Sequence, residues 1–95
     1  QSTVKVITVQ AGEAVSLQYH QKRNEFWYII LGEGVVTLGD KKINVSAESE
    51  ISIPAGTHHR LAARTEVKFL EIAFGEFDEN DIVRLEDKYG RKSPD

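Results

Sequence analysis

Short apolar segments separated by turn residues follow one another along the chain. Val4 to Val9 is rich in β-branched residues and reads as a strand, closed by the turn Ala11-Gly12-Glu13. Ala14 to His20 reads as a second strand, and Glu25 to Leu31 as a third, strongly apolar one that Gly32-Glu33-Gly34 breaks. Val35 to Leu38 and Lys42 to Val45 flank Gly39-Asp40-Lys41, a hairpin signal. Ile51 to Ile53 runs into the turn Pro54-Ala55-Gly56, and His58 to Ala62 and Val67 to Phe74 complete the strand set. Short strands at this regular spacing predict an all-β sandwich or barrel, here a jelly roll. The C-terminal end departs from this pattern. Asp78 or Asn80 is placed to cap a short helix through about Asp87, with Ile82, Val83, Leu85 and Glu86 spaced for a helix with one apolar side and Gly90 as the stop.

Four side chains with metal-binding chemistry fall on or next to these strands: Gln18, His20, Glu25 and His59. Side chains alternate faces along a strand with a period of two, so Gln18 and His20 share a side. Glu25 opens the next apolar run after four polar residues, and a hairpin there returns it opposite His20. His59 follows the Pro54-Ala55-Gly56 turn. Two imidazoles, one carboxylate and one amide oxygen suit a cation such as Zn²⁺, Mn²⁺, Fe²⁺, Co²⁺ or Ni²⁺. An amide is a weak ligand, so the alternative for Gln18 is to orient a bound water. His58, next to His59, should face away as a surface histidine.

The spacing of these residues resembles the two motifs of the cupin family. The first runs Gly12, Gln18, His20, Glu25, Gly32; the second runs Glu48, Pro54, Gly56, His59, Ala63. Glu48 and Ala63 stand where the family has Gly and Asn, and Gln18 stands where many cupins have a first His. The chain is most similar to the cupin domain of type II phosphomannose isomerases, often fused to a mannose-1-phosphate guanylyltransferase. That group carries Gln at this position, and its pattern matches Ser16-Leu17-Gln18-Tyr19-His20, Glu25-Phe26-Trp27, His59-Arg60-Leu61 and the end from Gly75 to Arg91. The resemblance implies a cupin jelly-roll barrel (a double-stranded β-helix) with a short C-terminal helix. It also implies one divalent ion held by Gln18, His20, Glu25 and His59, with Zn²⁺ preferred.

Basic residues flank the proposed ligands. Arg23 lies between His20 and Glu25, and the family has an arginine at the positions of Arg23 and Arg60. A guanidinium grips phosphate through paired hydrogen bonds, which makes both candidates for substrate binding. Lys22 and Arg64 read as solvated surface charges. Trp27 and Ile29 share a face with Glu25 and should line the barrel, Trp27 as packing rather than as a sugar platform. Glu71 shares a face with Val67, Phe69 and Ala73, where a carboxylate needs a partner or an altered affinity for its proton. It is the candidate acid/base group, with Arg23 as the other catalytic candidate. Three departures count against a simple transfer of activity: the family usually has His at Phe26 and a further basic or imidazole group near Gln21 and Lys22, and often has Gln at Ala73.

Composition narrows the alternatives. Ninety-five residues suit one domain, taken as 1–95, and bury roughly 60–65% of the unfolded surface, enough for one core. A net charge of −3 argues against general nucleic-acid binding, which calls for a basic face. No apolar run approaches the roughly 20 residues of a membrane span, and no signal-peptide pattern opens the chain. With no cysteine, disulfides and thiolate sites are impossible, and a cytoplasmic location is expected. The first functional expectation is a metal-dependent aldose–ketose isomerase acting on mannose 6-phosphate and fructose 6-phosphate. The second is a non-catalytic cupin that binds a sugar or small anion. A third, an oxygenase built on the two histidines and the carboxylate, is disfavoured by Gln18 and the C-terminal resemblance. A homodimer is expected from the commonness of two-fold assemblies.

Overall fold

The computed structural model describes residues 2–15, 17–20, 22–75 and 82–86, with 17–20 and 82–86 described through their backbone. Within them, nine strands form two antiparallel sheets. The first sheet has the spatial order β1 (Ser2–Val9), β8 (Val67–Gly75), β3 (Arg23–Leu31), β6 (Glu50–Ile53). The second has the order β5 (Lys41–Val45), β4 (Gly34–Leu38), β7 (His59–Ala63), β2 (Leu17–His20), β9 (Ile82–Glu86). This is the all-β, two-sheet architecture that the strand spacing predicts.

Period-two alternation decides what enters the core. On β3, Glu25, Trp27 and Ile29 are buried; on β8, Val67, Phe69 and Ala73 are. The second sheet answers with Val36, Val45, His59, Leu61 and Ala63. Most of these join one apolar cluster with Val9, Ile51 and Ile53. Each fully buried large side chain in it, such as Ile29 or Phe69, contributes about 1.5–3 kcal/mol. The Trp27 and Phe69 rings stack obliquely, with centroids 4.6 Å apart.

Two expectations are corrected. The first is the hairpin between β2 and β3. Strand β3 is flanked by β8 along most of its length and by β6 over Glu25 to Tyr28. It is an interior strand of the first sheet, with β8 on one edge and β6 on the other, so β2 does not pair with it. The chain instead crosses to the other sheet, where β2 pairs with β7 and β9. His20 and Glu25 therefore stand in opposite sheets. The second correction is the C-terminal helix. Ile82–Glu86 is a strand paired antiparallel with β2. A short run of apolar residues fits either period, and the β-branched pair Ile82-Val83 suits a pleated neighbour that satisfies the second edge of β2. The remainder of that expected helix, Asp78 to Asp81 and Asp87, lies outside the described residues.

Two corners position the site. At Pro54-Ala55-Gly56 the chain leaves the first sheet for the second. Thr57 N–H donates to the Pro54 carbonyl at 3.2 Å, and Gly56 takes φ 82°. This is the type II turn that needs glycine at its third position. At Gly32, φ is 96°, and an added Cβ would lie 1.9 Å from the Glu66 carbonyl oxygen. Only glycine lets β3 pass that neighbouring backbone. No helix among the described residues is long and apolar enough to cross a membrane.

Candidate metal and substrate site

Among the described residues, Glu25 and His59 are the two buried polar ones, at 4% and 1% exposure. They face each other from opposite sheets, with His59 Nε2 3.9 Å from Glu25 Oε1. That exceeds the 2.7–3.2 Å of a good N–H···O hydrogen bond. Trp27 Nε1–H donates to Glu25 Oε1 at 2.9 Å, and the Trp27 ring meets the His59 ring edge to face at 5.4 Å. Trp27 is thus the floor of the site, apolar toward Phe69 and polar toward the carboxylate.

The imidazole is oriented from behind. His59 Nδ1 lies 3.2 Å from the Thr57 carbonyl. A carbonyl only accepts, so Nδ1 carries the proton in this contact, and Nε2 is the ring nitrogen that faces Glu25. Backbone-anchored imidazoles of this kind are typical of metal-ligating histidines. The corner that delivers His59 is tied to β3, because Ala55 N–H donates to Asn24 Oδ1 at 2.9 Å. Asn24 immediately precedes Glu25, so one short contact links the positions of the carboxylate and the imidazole.

The other expected ligands come in on β2. Gln18 is the register partner of His59, and His20 stands two residues further along the same strand. The side chains of Gln18 and His20 lie outside the described residues. Among the described residues, no group of three or more His, Asp or Glu side chains is placed to hold a metal. The described half nonetheless fits a cation. A carboxylate and an imidazole nitrogen are buried together, each held by a second partner, with a gap wider than a hydrogen bond between them.

The remaining candidates divide by strand face. Arg23 is half-buried at the start of β3, two residues before Glu25 and therefore on its side, with Gly75 as its partner on β8. Glu71 is half-buried on the inner face of β8, opposite Trp27 on one side and Lys5 on the other. Its register position is diagonal to Glu25, which stands opposite Ala73. Arg60 is not brought to the site. It follows His59 on β7 and, by the period of two, turns to the opposite face, beside Thr37 of β4. His58 is exposed, as expected. Phe26 also turns outward, so a substitution there removes nothing from the interior. Ala73 is buried directly across from Glu25 and leaves that flank apolar.

Sequence reasoning missed three supporting groups: the Trp27 indole as a donor to Glu25, Asn24 as the anchor of the corner, and the Thr57 carbonyl behind His59. The first was legible in principle, since residues two apart on a strand share a face. The other two depend on the path of a turn.

Comparisons with known proteins fit this geometry. A family model described as mannose-6-phosphate isomerase C-terminal matches residues 1–87. The xanthan biosynthesis protein XanB of Xanthomonas campestris pv. campestris strain B100 is 40% identical over 91 residues, covering 93% of this chain and 20% of that protein. A mannose-1-phosphate guanylyltransferase of Klebsiella pneumoniae is also 40% identical over 91 residues, covering 93% of this chain and 19% of that protein. The chain thus spans about a fifth of the length of these relatives. Among solved structures, a cupin protein from Bacteroides fragilis superposes with a TM-score of 0.72 at 25% identity, covering 78% of this chain and 65% of that one.

Proposed function

The chain belongs to the mannose-6-phosphate isomerase C-terminal family, and from that premise we propose that it is a metal-dependent isomerase of a sugar phosphate, interconverting mannose 6-phosphate and fructose 6-phosphate. The observation that carries this reading is the buried Glu25 carboxylate facing the oriented His59 imidazole across the two sheets. Gln18 and His20, entering on the strand beside His59, complete the ligand set. The name of the Klebsiella pneumoniae relative and the description of the family both point to phosphate esters of mannose, which supports the substrate class.

Such an isomerisation moves a proton between C1 and C2 through an enediol. A divalent cation, Zn²⁺ by preference, supplies stabilisation for the negative charge that develops on the sugar oxygens. The chain's own groups do the rest. Trp27 and the apolar residues below it close the floor to water and hold the Glu25 carboxylate in place. Arg23, one pleat beyond Glu25, offers a planar guanidinium to the phosphate or to a developing oxyanion. Glu71, on the inner face diagonal to Glu25, is the group best placed to take and return the proton.

A second reading is a binding domain without turnover. It is favoured by Ala73, which puts a methyl group where the site would otherwise have a polar contact next to Glu25. Both readings are tested by metal analysis of protein purified without added metal, followed by assay of mannose 6-phosphate isomerisation with Zn²⁺, Mn²⁺, Co²⁺ or Fe²⁺ supplied. The expected result is one ion per chain in the parent protein, none in His59→Ala, and turnover that tracks the metal. Metal without turnover favours the binding domain, and full metal retention in His59→Ala removes the site.

A further inference from the structure

The described pairing of β3 with β6 ends at Glu25 and Ile53. The next residue is Pro54, which has no N–H with which to continue the ladder. From there the chain leaves for the second sheet and carries His59 with it. Asn24 is exposed on the outer side of β3, and its Oδ1 accepts the Ala55 N–H at 2.9 Å. Thr57 N–H donates to the Pro54 carbonyl at 3.2 Å, and the Thr57 carbonyl lies 3.2 Å from His59 Nδ1. Three hydrogen bonds in series therefore run from the residue before Glu25 to the imidazole that faces Glu25. At the far end of the corner, Gly39 N–H donates to the His58 carbonyl at 2.8 Å and ties that end to the second sheet. The Asn24 side chain ties the near end to the first.

We infer that Asn24 is a positioning residue of the site: its side-chain oxygen sets the separation between the His59 imidazole and the Glu25 carboxylate, and with it the affinity for a divalent cation. The claim about affinity rests on the metal-dependent reading above, whereas the claim about separation stands without it. The tolerance is narrow. Bonds from Zn²⁺ to nitrogen or oxygen are about 2.0–2.2 Å, so one ion spans two such atoms up to roughly 4.0–4.3 Å apart. His59 Nε2 and Glu25 Oε1 are 3.9 Å apart, close under that limit. A corner released from β3 needs to drift outward by only a few tenths of an ångström, roughly, to take the imidazole out of reach. The contact uses Asn24 as an acceptor, so an aspartate oxygen in the same place serves equally well.

The test compares Asn24→Ala, which removes the acceptor, with Asn24→Asp, which keeps one. The position is exposed, so neither change touches the core. The first measurement is proton NMR of the metal-free chain at one fixed pH. The Trp27 ring stands edge to face with His59 at 5.4 Å, and its ring current marks where the imidazole sits. The His59 ring protons should shift in Asn24→Ala and keep their parental positions in Asn24→Asp. The Ala55 amide should exchange with solvent quickly in the first variant and slowly in the second. The second measurement is Zn²⁺ affinity by competition with a chromophoric chelator, at high salt to screen the added aspartate charge. Asn24→Ala should lose roughly 10- to 100-fold and Asn24→Asp should bind as the parent does. Unshifted His59 ring protons in folded Asn24→Ala overturn the inference. So does parental Zn²⁺ affinity in that variant, or a failure of Asn24→Asp to restore both properties. A parent that binds no Zn²⁺ overturns the metal reading and the affinity claim with it, while the ring-proton shifts still decide whether Asn24 positions His59.

Discussion

Replacing Trp27 with Phe separates the two jobs of that side chain. The ring that packs on Phe69 is largely kept, while the indole N–H that donates to Glu25 at 2.9 Å is lost. A hydrogen bond to a charged acceptor contributes about 1.5–3 kcal/mol, and the buried carboxylate gains no water in exchange. The smaller ring leaves roughly 40 Å³ unfilled, which at about 24 cal/mol per Å³ adds about 1 kcal/mol. The expected loss is therefore about 2.5–4 kcal/mol. At about 4–8 °C per kcal/mol for a domain of this size, Tm should fall by roughly 10–30 °C. Urea denaturation followed by far-ultraviolet circular dichroism is the suitable assay, because Trp27 is the sole tryptophan and its fluorescence leaves with it. A chelator keeps any bound ion from masking the effect. Glu25→Gln, alone and combined with Trp27→Phe, closes a double-mutant cycle whose coupling should be about 1 kcal/mol or more. A loss below about 1 kcal/mol in Trp27→Phe, or no coupling in the cycle, refutes the claim that the indole holds the carboxylate.

Three further outcomes are expected. Glu48 has φ 75°, a left-handed conformation that costs a non-glycine residue about 1–2 kcal/mol, partly offset by the entropy glycine loses on folding; Glu48→Gly should stabilise the fold by about 0.5–1 kcal/mol in urea titration. Gly32→Ala combines a left-handed φ with a Cβ 1.9 Å from the Glu66 carbonyl, so it should cost at least about 3 kcal/mol or prevent folding, and near-parent stability would contradict the close approach. Arg23→Ala should keep the fold and the metal while cutting turnover of mannose 6-phosphate by roughly 30- to 1000-fold, with Arg23→Lys restoring little; unchanged kinetics would leave Arg23 without a role in the reaction.

The strands were legible because their signal is local. Alternation of apolar and polar residues over five to nine positions, bounded by Gly, Pro and Asp, marks each one whatever its neighbours do. Pairing is not local. Nothing in the four polar residues between His20 and Glu25 says whether they make a hairpin or a crossing between sheets. That is settled by competition for the edges of β3, which the long apolar strand β8 and the short β6 win. The C-terminal segment failed for a related reason. Ile82, Val83 and Leu85 fit one side of a helix or a short pleated strand equally well, and the edge of β2 offered by the tertiary structure selects the strand.

The same division explains what could be read of the site. Period two places Glu25, Trp27 and Ile29 on one face and sends Phe26 and Tyr28 to the other, so the inward set on β3 was readable before any fold was known. Applied consistently, the rule also ranks the departures from the family pattern. Phe26 is an outer-face residue, so its phenyl ring adds to the apolar surface of the first sheet and takes no group from the site. Arg60 follows the same rule: adjacency to His59 in sequence is separation on a strand. Ala73 is the departure that reaches the interior, since its register partner is Glu25. The substitution that bears on chemistry is therefore the smaller one, a methyl facing the carboxylate. What no periodicity could supply is the meeting of Glu25 with His59, 34 positions apart in the chain. That meeting depends on a type II turn at Pro54-Ala55-Gly56, its anchor on Asn24, and the facing of two sheets, all of which exist only once the chain has folded.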